Sequence, residues 1–511
     1  MIQIVYMFLV LHGVYSANIL YIAPLGSPSH YLWNKVLALE LVATGHNVTM
    51  LTHDYEKKDV LTNYTVITIE DFYEHTSKHF YIEDVILKGN TIQNILDLHD
   101  YAKLTCDYDF QSAGFQKLLN YPQDFKFDLI IFDITGPICL YGFISRFHNP
   151  PVIAITAFTL SPHLSYLFTN PLYTSYMPHF ATTYSNKMTF LERTLNFIYT
   201  YFDIVLAMYI SFPYQHQTAI VAFNAPLPDF VETHKNFSLF LINTDFAMDY
   251  PTPLLPNIIP VGGLQIQPLK PLSQDLENVF NHAEHGVIFF SLGTNINSKI
   301  FTDEDINTFL NVFSKLQEVV VWKFNDSLQN VPKNVFISKW LPQNDILGHP
   351  KTKLFITHCG RLSTQEAIYH AVPMVGIPYF IDQNENMARL INKGVAVYLN
   401  NKHFTFGNIH GAITEVLRNP KYKYNIKKMS EKFKNYINSP LDRAVFWVEH
   451  VLAYGAPDYL NAPSRDMKFY KINNVDVFLF LLLCLLLLCY IFYCVLQISK
   501  IFFKQPKIKT N

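Results

Sequence analysis

The chain has 511 residues, half of them hydrophobic, with 39 Lys+Arg against 41 Asp+Glu and a formal net charge of −2. That composition excludes a disordered chain and gives no electrostatic reason to expect a nucleic-acid partner. Six cysteines are too few for a disulfide scaffold, and with no CxxC pair they suggest no zinc or iron–sulfur site.

In chain order, residues 1–16 read as a signal peptide. They are an apolar stretch closing on Val14-Tyr15-Ser16, with small residues where cleavage before Ala17 needs them, although no Lys or Arg precedes Lys35. Asn18-Ile19-Leu20-Tyr21-Ile22-Ala23 has strand length, Gly26-Ser27-Pro28-Ser29-His30 a loop's composition, and residues 31–44 helical spacing with Gly45 as a stop. Val48-Thr49-Met50-Leu51-Thr52 completes a βαβ unit, which requires a parallel sheet. Apolar runs at 127–132, ending at Asp133, and at 151–155 continue that sheet.

Residues 160–215 are rich in aromatics, and 197–212 are strongly apolar around Asp203. This stretch is too short and too charged to span a bilayer; it suits an acceptor-pocket wall, a membrane contact or a core helix.

A second α/β half begins after a Pro-bearing linker (Pro268, Pro271). Its strands are expected at 286–294, 318–322 and 354–357, the first running into a Gly293 turn with Ser291 and Thr294. Residues 477–499 carry no charge over roughly 35 Å of helix, enough to cross a membrane. Lys500, Lys504, Lys507 and Lys509 follow, so the tail is expected on the cytoplasmic side and the body in the lumen. The last two of these, third and fifth from the end, resemble a dilysine retrieval signal of the endoplasmic reticulum. Sequons at Asn63, Asn236 and Asn325 are glycosylation candidates for a lumenal body, and a fourth at Asn47 opens a strand.

The chemistry concentrates in residues 338–386. Ser338-Lys339-Trp340-Leu341-Pro342-Gln343 is followed by Thr357-His358-Cys359-Gly360-Arg361-Leu362-Ser363-Thr364-Gln365-Glu366 and by Asp382-Gln383-Asn384-Glu385-Asn386. A strand ending at Thr357 and a helix opening near Ser363 offer free N–H groups to a diphosphate, with Gly360 allowing close approach. His358 can add a hydrogen bond or charge to the same phosphates. Glu366, one turn into the helix, can accept both hydroxyls of a ribose, and Trp340 offers a flat face to a base.

This set resembles the signature of the UDP-glycosyltransferase family, and the resemblance runs over almost the whole chain, nearest in texture to insect members. It implies two Rossmann-like domains facing across a cleft (a GT-B-like α/β fold) plus one C-terminal transmembrane helix. The implied partition is a signal peptide 1–16, an acceptor domain 17–262, a linker 263–285, a UDP-sugar domain 286–455, a juxtamembrane segment 456–476, a membrane helix 477–499 and a tail 500–511.

The resemblance assigns Trp340 and Gln343 to the uridine, and His358, Gly360, Ser363, Ser291 and Thr294 to the diphosphate. Glu366 falls to the ribose, Asp382 and Gln383 to the sugar, His30 to the general base and Asp133 to its partner. It further implies inverting transfer of a hexose, glucose, to a small lipophilic hydroxyl compound, with UDP-glucuronic acid or an idle UDP-sugar-binding member as alternatives. No metal or other cofactor is implied. Asp107-Tyr108-Asp109 and Asp303-Glu304-Asp305, spaced like metal-binding acids of other glycosyltransferases, read as solvated charge. Two departures stand out: the family's usual His-Gly-Gly is His358-Cys359-Gly360, and its usual apolar residue after that is Arg361, expected near phosphate or in solvent. Acceptor identity and homo-oligomer formation stay open.

Overall fold

Runs of Val, Ile, Leu and Phe too short for helices form strands buried on both faces, as parallel sheets require. The computed structural model describes residues 16–55, 61–80, 90–294, 296 and 298–503. The expected signal peptide, save Ser16, and the end of the dilysine-like tail lie outside the described residues.

The strands of the first half are β1 (Asn18–Ala23), β2 (Asn47–Thr52), β3 (Tyr64–Thr68), β4 (Leu129–Asp133), β5 (Val152–Thr156), β6 (Leu239–Ile242) and β7 (Ile258–Pro260). Those of the second are β8 (Val287–Ser291), β9 (Val319–Lys323), β10 (Val335–Ser338), β11 (Thr352–Thr357), β12 (Met374–Gly376) and β13 (Ala396–Tyr398). All pairings among them are parallel. The sheets run in the orders β3-β2-β1-β4-β5-β6-β7 and β10-β9-β8-β11-β12-β13. In each the order in which strands are added therefore reverses once, between β1 and β4 and between β8 and β11. In doubly wound sheets ligands bind outside the carboxyl ends of the strands at that reversal.

Alternate residues feed separate cores. Leu20 and Ile22 point into one layer and Ile19 and Tyr21 into the other, and Ile288 and Phe290 oppose Val287 and Phe289 in the same way. The linker is not featureless: it holds the helix Gln274–His282, whose Leu276 and Phe280 enter the second core. The helix Pro440–Tyr454 returns to the first half, adding Ala444, Val448 and Val451 to the core under β1.

The aromatic stretch forms the helix Phe190–Leu206, a π-helical turn Ala207–Ser211 and the helix Phe212–Phe223. The widened turn precedes Pro213, which has no N–H to continue the ladder. Asn196, Thr200 and Asp203 lie inside, while Phe190, Phe197 and Tyr209 face outward. Asp203 is enclosed by His99, His163 and His179.

Cys106 and Cys139 form a buried disulfide across 33 residues, a pairing that their spacing did not announce. Residues Met1–Leu460 make one compact unit and Asn461–Asn511 another. In the latter, the apolar helix Val475–Phe503 contains a 26-residue stretch long and apolar enough to cross a membrane.

Candidate active site

At the first reversal, Pro28 starts the helix Pro28–Ala43 earlier than the spacing predicted, because its fixed φ suits a first helical position. His30 therefore sits in the helix's first turn rather than in a loop. It is buried, with its ring edge-on to Phe158 at 4.9 Å. Burial lowers its pKa to about 4, so the imidazole is neutral, the form a base requires. Its Nδ1 has no hydrogen-bond partner among the described residues.

Asp133, at the end of β4, is fully buried but not bonded to His30. One carboxylate oxygen accepts from Asn34 Nδ2 at 2.6 Å and the other from the Thr135 N–H at 2.9 Å. Burial raises its pKa, and those bonds oppose the rise. Asn34 is in turn oriented by the Tyr21 hydroxyl (2.8 Å) and donates to the His30 carbonyl (3.0 Å). No motif pointed to Asn34, yet it lies one helical turn after His30, a spacing that could have flagged it.

At the second reversal the expected residues converge. β8 ends at Ser291, whose hydroxyl accepts from the Gly293 N–H at 3.2 Å; Thr294 follows, exposed. β11 leads through His358 into the helix Arg361–Tyr369 with Gly360 at its N-cap. The N–H groups of residues 361–363 precede the first intrahelical bond, from Thr364 to the Gly360 carbonyl, and so face outward as anion donors. The His358 ring is wedged between two glycines: a Cβ on Gly360 would lie 2.3 Å from its Nε2, and one on Gly293 would lie 2.6 Å from its Cε1. Burial, with Lys323 nearby, holds His358 at about 3. It is neutral and offers a hydrogen bond rather than the charge that was one of its expected contributions.

Gln343 Nε2 donates to Ser363 Oγ at 3.1 Å and to Glu366 Oε2 at 2.8 Å, joining three of the expected donor residues directly. Burial pushes Glu366 up to about 7 and Asp382 up to about 6. Asn386 Nδ2 bridges Asp382 (2.7 Å) to the Cys359 carbonyl (3.0 Å), tying Asp382 to the His358 turn. Gln383 spends its amide oxygen on the N–H groups of Tyr379 and Phe380, leaving its NH2 to donate. Trp340 is 62% exposed, so its indole face is accessible.

Sequence reasoning missed Lys323. At the end of β9 its ammonium donates to the Gly293 carbonyl at 2.8 Å and stands 5.2 Å over the Trp340 ring. A charge directly after the apolar run 319–322 was the available signal; the register puts it beside Ser291. The two departures are also explained. Cys359 adopts φ 66°, the left-handed region where glycine is at ease. Arg361 lies neither in solvent nor toward the helix's free N–H groups; it is buried and turns back to Asp249 and Asn243.

Among the described residues no group of three His, Cys, Asp or Glu is placed to hold a metal. Asp109 is buried against His53, Asp107 accepts from Tyr214, and Asp303 and Asp305 lie in the first turn of the helix Asp303–Phe313. Asn47, Asn63, Asn236 and Asn325 are all exposed.

The family model described as "UDP-glucoronosyl and UDP-glucosyl transferase" matches residues 18–509. UDP-glucosyltransferase 2 of Dactylopius coccus is 33% identical over 482 residues, covering 93% of this chain and 92% of that one. UDP-glucuronosyltransferase 2B15 of Homo sapiens is 31% identical over 509 residues, covering 94% of each. A solved structure of Phytolacca americana UGT2, complexed with UDP-2fluoro-glucose and pterostilbene, shares the fold with a TM-score of 0.56 at 17% identity, over 85% of this chain and 99% of that one. With two reversal points on GT-B sheets and a family match spanning nearly its whole length, the chain belongs to the UDP-glycosyltransferase family.

Proposed function

We propose that this transferase moves glucose from UDP-glucose to a hydroxyl of a small lipophilic acceptor, with inversion at the anomeric carbon. The observation that carries the reading is the mutual bonding of Gln343, Ser363 and Glu366 beside the free N–H groups of the helix Arg361–Tyr369. Uracil stacks on Trp340, the ribose hydroxyls donate to Glu366, and the diphosphate takes the helix N-terminus, His358, Ser363 and the Gly293 turn, with Lys323 adding charge. Asp382 and Gln383 hold the sugar.

Neutral His30 takes the acceptor proton as its oxygen attacks the anomeric carbon. The bond to the diphosphate breaks on the opposite face, and UDP leaves with the electron pair. Asp133, at the neighbouring strand end, supports the resulting imidazolium. The scheme needs no metal, because the N–H groups and Lys323 meet the leaving charge.

Two observations support these choices. Arg361 and Arg389, the cations felt by Asp382, are already paired with Asp249 and Glu385, which favours a neutral sugar over one bearing a carboxylate. A pocket whose apolar wall includes Leu160, Met177, Phe180, Ile242 and Leu254, with Asp249, Glu385 and Arg389 on its polar side, has room for the ring of a small acceptor bearing a hydroxyl. UDP-glucuronic acid is the second reading, favoured by the name of the human relative. The exposed sequons, the disulfide and the apolar helix Val475–Phe503 support a body in the lumen of the endoplasmic reticulum, anchored by that helix, with the basic tail cytoplasmic.

The test gives microsomes holding the full chain either UDP-sugar with a pool of phenols, flavonoids and steroids, and reads products by mass. Glucosides support the reading and glucuronides replace it with the second. UDP binding without any product points to an idle member.

A further inference from the structure

Arg361 opens the helix that the proposed function assigns to the diphosphate, yet its side chain reaches out of the second half altogether. It is 4% exposed. Its Nε donates to the Asn243 carbonyl at 2.7 Å and its Nη2 to Asp249 at 2.5 Å, residues 118 and 112 positions earlier in the chain. Asp249 also accepts from Arg389, which pairs in turn with Glu385, so two cations and two anions close a buried, charge-balanced cluster. One turn further along the same helix, Gln365 Nε2 donates to the Asn243 side-chain oxygen at 2.7 Å.

Asn243 is the joint of this arrangement. Its backbone N–H donates to the carbonyls of Thr156 (3.1 Å) and Phe158 (3.2 Å), and its amide to the Ala157 carbonyl (2.8 Å). It thus grips the peptide leaving β5, whose Phe158 ring stands against His30. From the imidazole to the first turn of the helix the path is Phe158, Asn243 and Arg361, each step a ring contact or a hydrogen bond. An apolar residue at 361 could make none of these bonds. Buried, geometrically fixed bonds of a planar guanidinium hold position more tightly than apolar contact does.

We propose that Arg361 is a positioning residue: anchored on Asn243 and Asp249 of the first half, it fixes the N-terminus of the diphosphate helix against the peptide that walls His30, and so sets the separation of base and donor. The inference rests on the proposed transfer. It differs from a role in UDP binding, since none of the Arg361 side-chain bonds goes to the residues assigned to uridine or diphosphate.

The experiment uses the full chain in membranes with Arg361→Leu, Arg361→Lys, Asp249→Asn and the Arg361→Leu/Asp249→Asn double variant. It measures kcat and the inhibition constant of UDP, counting sites by UDP binding. Arg361→Leu and Asp249→Asn should each lower kcat about ten-fold or more, because a misplacement near 1 Å costs up to about 100-fold. UDP inhibition should stay within about three-fold of wild type, since those contacts lie within the second half. The double variant should lose no more than the worse single one, as members of one cluster do. Arg361→Lys, which keeps the charge but loses the bond to the Asn243 carbonyl, should fall between.

Wild-type kcat per UDP-binding site in Arg361→Leu or Asp249→Asn overturns the inference. So does a loss of UDP affinity equal to the loss of kcat, the mark of a helix that merely unravels. If Arg361→Leu does not accumulate, the near-isosteric Asp249→Asn carries the test. A wild-type chain with neither turnover nor UDP inhibition instead refutes the proposed transfer itself.

Discussion

The two halves of this chain share one topology but furnish their reversal points differently. At the second, between β8 and β11, the functional groups bond to one another: Gln343 holds Ser363 and Glu366, Asn386 holds Asp382, and two glycines clasp His358. At the first, between β1 and β4, the groups are held apart. Among the described residues His30 Nδ1 has no partner, and Asp133 is occupied by Asn34 and Thr135. On the proposed reading, donor binding draws on groups already bonded to one another, whereas His30 and Asp133 would meet only after Asn34 or the Asp133 carboxylate turned.

That contrast can be broken at either end. Asp133→Asn should lower kcat about 100-fold or more while UDP inhibition stays constant, since a general base is worth about 10²–10⁴-fold and loses its support here. Unchanged turnover would show that Asp133 only buttresses Asn34. Glu366→Ala should do the reverse. If Glu366 accepts the ribose hydroxyls as proposed, the change costs UDP about 1.5–3 kcal/mol, with the rate at saturating donor less affected. Titrating UDP against wild type and variant reads that loss.

Asn34→Ala leaves Asp133 without one of its bonds and should cost about 1–3 kcal/mol of stability, measured by denaturation of the membrane-extracted protein. Its kcat separates two views. A rise or no change means Asn34 must release Asp133 during turnover; a fall means Asn34 itself positions His30.

Acidity sharpens the comparison further. Burial lowers His30, His234 and His370 to about 4 and His358 to about 3, from 6.5. Groups depressed in this way stabilise the fold above pH 6.5, and that contribution drains as pH falls from 6.5 toward 4. Melting temperature should accordingly drop steeply over that window, and kcat/KM should be flat from pH 6 to 8 as far as His30 governs it. The smallest effect is on the donor side. Glu366 near 7 must ionise to accept ribose hydroxyls, so UDP affinity should weaken as pH falls below 7, and binding should release a fraction of a proton, readable by calorimetry in buffers of different ionisation heat.

Most of the candidate donor site was legible in the sequence because its residues, Ser291 and Thr294 apart, cluster within 338–386 near strand ends and helix starts, where chemistry and local rules coincide. The alternation of apolar strands with helices likewise announced two parallel sheets. What escaped was long-range. Asp249 meets Arg361 across 112 positions, and the helix Pro440–Tyr454 packs back into the first half, because tertiary packing, not local pattern, decides both. Cys106 and Cys139 pair across 33 residues without a motif. Lys323 was overlooked because it ends a strand whose apolar run stops at Trp322.

The most direct test of the division of labour between the halves is His30→Ala, assayed in the same membranes for product formation and for inhibition by UDP. The account predicts loss of nearly all turnover with UDP inhibition unchanged. Product formed at the wild-type rate, or UDP affinity lost along with turnover, would contradict it.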